Sequence, residues 1–145
     1  MDQTGTYVNI MRESLERKRK YLAEILKLTN EQSVIAAAEK FDDERFSEIV
    51  EKKDVLIDNI NEIDKGFSSV YDRVRIEIQQ EPAAYRDALL AIQDLIRTCV
   101  DFGMQIEAVE ERNRAAMEQV FSVKFQGVRQ MKQSKTVANK YYKSM

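Results

Sequence analysis

The chain has 145 residues, 33% of them charged and 43% hydrophobic, with a formal net charge of −2. Four Gly and one Pro among so many helix formers point to one all-α domain large enough to bury a core. Histidine is absent, which removes imidazole-dependent catalytic dyads and helical di-iron sites built on Glu and His three residues apart; no catalytic residue, metal or cofactor is expected.

A first helix is expected from about Thr6 to Lys40, capped by Thr4 or Thr6. Its apolar stripe is Tyr7, Met11, Leu15, Leu22, Ile25, Leu28 and Ile35, with Lys18 and Gln32 as polar interruptions. Glu13 with Arg17 and Glu16 with Lys20 have the favourable acid-first i, i+4 order, worth about 0.2–0.5 kcal/mol per pair. The run Arg17-Lys18-Arg19-Lys20 looks like a phosphate-binding patch as a string. On a helix its members point about 100° apart beside acids, so it reads as a solvated face.

The first break falls at Phe41-Asp42-Asp43-Glu44-Arg45-Phe46. Asp42 suits the N-cap, and the acids after it complement the positive helix end. Phe41 and Phe46 have the spacing of a hydrophobic staple. The second helix runs to about Gln80 on the stripe Phe46, Ile49, Lys53, Leu56, Ile60, Ile63, Phe67, Val70, Val74 and Ile78. Its steps of three and four average near 3.5, the rhythm of a helix packed along a seam against others. Lys53 alone breaks it. Polar groups at stripe positions, here Lys53, Gln32 and Asn113, either set register within the seam or mark where it opens to solvent.

Pro82 marks the second break and fits the first turn of a third helix. That helix carries Tyr85, Leu89, Ile92, Ile96, Cys99, Phe102, Ile106, Val109, Asn113, Met117 and Val120, with no obvious stop before Gly127. Short breaks make consecutive helices antiparallel. The expected architecture is an elongated antiparallel bundle of three to four long amphipathic helices with coiled-coil-like packing over 1–127. A basic, conditionally helical segment follows at 128–145. Cys99 reads as a small core hydrophobe. A single cysteine, no signal-peptide pattern and no membrane-length apolar run place the expectation in the cytoplasm.

The end of the chain differs from the rest. Residues 119–145 contain six Lys and Arg and no acid, whereas the other 118 residues hold 17 basic and 25 acidic side chains, a balance of −8. An apolar stripe persists through Val120, Val123, Val128, Met131, Ala138, Tyr141 and Met145, with Tyr142 beside it. As a lone helix this segment is poor: it lacks i, i+4 ion pairs and has β-branched residues and a glycine. It is therefore expected to be frayed after about Gln130 when free and helical when bound. It can finish the bundle, dock on a protein partner, or contact nucleic acid or membrane. The acidic body and interspersed lysines argue against a polyanion or stable membrane insertion, and a protein partner is the reading taken.

Several segments resemble the FlgN-type flagellar export chaperones, over about Tyr7 to Phe125. The resemblance rests on the first amphipathic helix, the acidic turn Asp42-Asp43-Glu44, the segment Glu51-Lys52-Lys53-Asp54-Val55-Leu56-Ile57, and Glu110-Glu111-Arg112-Asn113-Arg114 followed by Ala115, Ala116 and Met117. It implies a cytoplasmic, non-enzymatic chaperone of bacterial type III secretion. Such a protein would hold hook–filament junction proteins before export and hand them to export gate or ATPase components. The family's cargo contact maps onto Val120 to Tyr142, with Val120, Val123, Val128, Met131, Ala138, Tyr141 and Tyr142 as anchors and Lys132, Lys135 and Lys140 steering. Two other readings stay open: a filament-cap-type chaperone, and a structural coiled-coil adaptor or homodimer.

Overall fold

The computed structural model describes residues 3–124, and the surroundings of side chains through residue 121. Three long helices account for almost all of it: α1 is Gln3–Ala37, α2 is Asp43–Gln80 and α3 is Arg86–Lys124. One 3-10 turn, Pro82–Tyr85, separates α2 from α3. No strand occurs among the described residues. At 1.5 Å per residue, α2 spans about 57 Å.

The turn between α1 and α2 follows the expected chemistry. The Asp42 carboxylate accepts the backbone N–H of Arg45 at 3.0 Å, and Asp43 and Glu44 occupy the first turn. Phe41 and Phe46 close the staple with ring centroids 5.4 Å apart, and Phe121 of α3 meets Phe41 edge-on at 5.6 Å. Arg45 ties the corner down by donating to Glu31 Oε1 through Nε at 2.9 Å and Nη2 at 2.7 Å.

The other boundaries differ from expectation. Gln3, the first described residue, is already helical and α1 ends at Ala37, so Thr4 and Thr6 lie inside it and neither is its cap. Thr4 is buried there. Glu16 pairs with Arg19 at 3.3 Å, one residue short of the expected Lys20. Pro82 opens the 3-10 turn, and the third α-helix begins four residues later than expected. Gly66 and Gly103 stay inside their helices with negative φ and interrupt neither.

Consecutive helices run antiparallel, but the helices that pack together most are α1 and α3, which run parallel. At one end Val8, Met11 and Leu15 meet Ile92 of α3 and Val74 and Ile78 of α2. In the middle Leu22 and Ile25 meet Ile57, Ile60, Cys99 and Ile106. At the far end Leu28 and Ile35 meet Phe41, Phe46, Ile49, Met117 and Phe121. The two outer helices both lie against α1, with far less packing between themselves. Two apolar neighbours on one helix require a wide stripe, which α1 supplies with buried residues from Val8 to Ala36.

Asp42→Ala removes the capping acceptor and leaves a backbone donor at the start of α2 unpaired. Urea unfolding should show a loss of about 1 kcal/mol, within the usual span of about 0.5–2 for such caps, with unchanged far-UV helicity.

Candidate functional site

Two features of the core stand apart from simple apolar packing. The first is a buried polar cluster between the middle and far layers. Lys53 of α2 is 0% exposed. Its ammonium donates to Gln32 Oε1 of α1 at 2.7 Å and to Glu110 Oε1 of α3. The Thr29 hydroxyl donates to the Ile25 carbonyl at 2.6 Å and lies 3.4 Å from Glu110 Oε1. Asn113 Nδ2 donates to the Thr29 carbonyl at 3.0 Å, and the Ser33 hydroxyl donates to Asn113 Oδ1 at 2.6 Å.

Gln32, Lys53 and Asn113 thus converge on one layer, buried in the seam and not facing solvent, whereas Lys18, the fourth polar interruption, is partly exposed and bridged to Asp64. Burial out of water disfavours the ammonium and lowers the Lys53 pKa, while the charge and hydrogen bond of Glu110 pull it up. Each partner holds the other in place. An ammonium in an apolar seam with no carboxylate would be costly, and so would the reverse.

The second feature lies beside this cluster. Because α2 and α3 pack mainly on α1 and little on each other, the core of the middle layer is open along one side. A groove with a cavity of about 360 Å³ runs between them, floored by Leu22 and Ile25 of α1 and walled by Ile57, Ile60 and Cys99. Its α3 lip consists of Ile96, Val100 and Met104, which are 41%, 55% and 64% exposed. Polar groups stand at its margins: Lys18 bridges to Asp64 at 2.8 Å, and Asn61 and Glu107 complete the edge. A concave apolar strip with a charged rim is suited to receiving an amphipathic helix.

Cys99 faces this groove without being exposed. Its Sγ lies 3.9 Å from the Leu15 carbonyl, and burial raises its pKa, with the Lys18 charge opposing. A thiol so placed stays protonated and packs as a small apolar group, matching the sequence reading. Among the described residues no group of three or more potential ligands gathers as a metal site, and no helix is long and apolar enough to cross a membrane.

Of the expected anchor positions, Val120 lies in α3, half-buried against the cluster of Met117 and Phe121, so it belongs to the body. Val123 falls within α3 by its backbone. Val128, Met131, Lys132, Lys135, Ala138, Lys140, Tyr141 and Tyr142 lie outside the described residues, as does the proposed boundary at 127–128. The sequence reading missed the groove. Ile96 was placed on the buried stripe, Val100 and Met104 were on no stripe, and Ile57 was passed over although it is 3% exposed. The available signal was an α3 apolar band too wide for one neighbour: Ile96, Val100 and Met104 recur every four residues beside Ile92, Cys99 and Ile106. Compared with family models, curated proteins and solved structures, the chain has no match.

The polar cluster yields a paired prediction. Lys53→Met alone leaves the Glu110 carboxylate buried without its counter-charge and should cost about 3–5 kcal/mol in urea unfolding. Replacing both partners, Lys53→Met with Glu110→Met, should restore wild-type stability or exceed it by about 1–4 kcal/mol, at the expense of a unique register.

Titration gives an independent check. Between the lowered pKa of folded Lys53 and the ordinary value of 10.5, the unfolded chain holds more protons than the folded one, so Lys53 makes the fold more stable as pH rises through that window. The stability of the wild type relative to the double variant should therefore climb towards pH 10.5. A decline over the same interval would mean that the Glu110 attraction outweighs burial.

Proposed function

We propose that this chain is a non-catalytic export chaperone of the FlgN type, which binds hook–filament junction proteins in the cytoplasm before type III secretion. The observation that carries the proposal is the division of charge and apolar surface. An acidic helical body with an open apolar groove precedes an acid-free, lysine-rich end whose apolar residues keep helical spacing. Such an end is suited to gripping a helical segment of another protein, and the body supplies a stiff platform for it. Burying about four large apolar side chains of the end gives roughly 6–12 kcal/mol gross. Ordering the segment costs about 2–5 kcal/mol. The remainder, offset further by the cost of association, suits reversible binding at micromolar strength and transfer to export components. In this reading Val128, Met131, Tyr141 and Tyr142 are apolar anchors, and Lys132, Lys135 and Lys140 steer the encounter by charge.

Met131→Asp combined with Tyr141→Ala should reduce capture of junction proteins from a flagellated bacterial lysate at least about tenfold, the effect of losing about 1.4 kcal/mol. Helicity and unfolding midpoint should stay close to wild type. Capture of cap proteins in place of junction proteins would assign the filament-cap type. A cargo-independent homodimer with no captured protein would assign a structural adaptor.

A further inference from the structure

With α1 as neighbour to both α2 and α3, these two helices leave the corner opposite α1 open. The groove is that corner. Its floor is the α1 core, and its α3 lip is the exposed row Ile96, Val100 and Met104. Apolar residues at steps of four along one helix form a ridge. Ridge and groove therefore lie side by side on one surface. A two-fold axis through such a surface sets each ridge into the groove of the other copy, which is the self-complementarity that an isologous contact requires.

We propose that this corner is filled by α3 of a second copy of the chain, antiparallel to the first, with Val100 on the two-fold axis. Each α3 is then the fourth helix of the other bundle. Two features of α3 besides its apolar ridge support this arrangement.

The first is Gly103, which lines the groove. Glycine inside a helix is less stable than Ala, and nothing among the described residues calls for it here. Its φ is negative, and a Cβ added to it would meet nothing within 4 Å. The antiparallel register supplies a reason. With Val100 on the axis, Ile96 lies level with Met104 of the second copy, and Arg97 with its Gly103. The missing side chain leaves room for the Arg97 stem to cross the facing helix.

The second is charge. Glu107 stands on the groove edge, one turn beyond Gly103. A guanidinium that crosses Gly103 of the second copy reaches the Glu107 carboxylate of that copy, and the symmetry makes the pair twice. Within one copy Arg97 bridges its neighbour Asp94 at 3.4 Å, with the two side chains 73% and 75% exposed. A pair so exposed is exchanged at little cost. The contact is separate from the C-terminal end to which the function above assigns cargo, and the dimer carries two such ends.

Analytical ultracentrifugation of the full chain, from about 1 to 100 μM and with no cargo, should show a dimer with a dissociation constant in the micromolar range or below. Val100→Asp with Met104→Asp puts charge on two exposed lip positions and so spares the monomer fold. It should weaken dimerisation at least about a hundredfold with helicity retained. Arg97→Glu should weaken it about tenfold, and adding Glu107→Arg to the same chain should restore it. With Cys99→Ala keeping the native thiol out of the reaction, Val100→Cys should form a disulfide with its own copy under mild oxidation. Leu90→Cys, about 30 Å from its copy in this register, should not. A monomer throughout that range would overturn the proposal and leave the corner to another protein. So would a dimer indifferent to the two lip charges, a charge swap without rescue, or a disulfide at position 90 formed as readily as at 100. Capture of junction proteins is read separately, so either result leaves the chaperone reading to its own experiment.

Discussion

The pairing of Lys53 with Glu110 is the constraint on which the arrangement of the three helices rests. Apolar stripes at steps of three and four tolerate slippage by a turn, since one Ile or Leu replaces another at little cost. A buried ammonium does not tolerate it. Sliding α2 by one turn would carry Lys53 away from both Glu110 and Gln32 and place a charge against isoleucines. The same shift in α3 would strand Glu110 and Asn113. The cluster thus joins α2 to α3 at one height, although these two helices pack mainly on α1. As a source of net stability a buried pair of this kind is weak, because desolvation offsets most of the attraction. Its contribution is to make the other registers worse.

That fixed register also explains why the groove lies where it does. Towards the chain start of α3, the next apolar layer that α2 and α3 share is that of Val74, Ile78 and Ile92, packed on Val8, Met11 and Leu15 of α1. Between the two ends the middle layer is covered on the α1 side and open on the other. An open apolar strip of this size is costly to leave in water, and proteins keep such strips where another surface will cover them.

Much of the fold was legible one residue at a time. The Asp42 cap and the Phe41–Phe46 staple are local devices, each set by a few neighbouring residues, and each appears as read; the chain also breaks at Pro82, although a 3-10 turn precedes α3. Thr4 and Thr6 have capping chemistry, yet both lie inside α1, where Thr4 is buried against the bundle and Thr6 is exposed. Ile57 and Ile96 were misassigned for another reason. A stripe drawn for one neighbour cannot show that a helix has two, or that one flank has none.

The sequence by itself determined that this chain is helical, where it turns, and that its charge is divided between an acidic body and a basic end. Those properties depend on side-chain period, backbone preference and composition, all of which are local or additive. Only the tertiary structure decided that Lys53, Gln32 and Asn113 are buried together and that the corner opposite α1 is open. A lone lysine on an apolar stripe has the same sequence whether it faces water or a carboxylate 57 positions away, and only the packing of three helices brings that carboxylate to it.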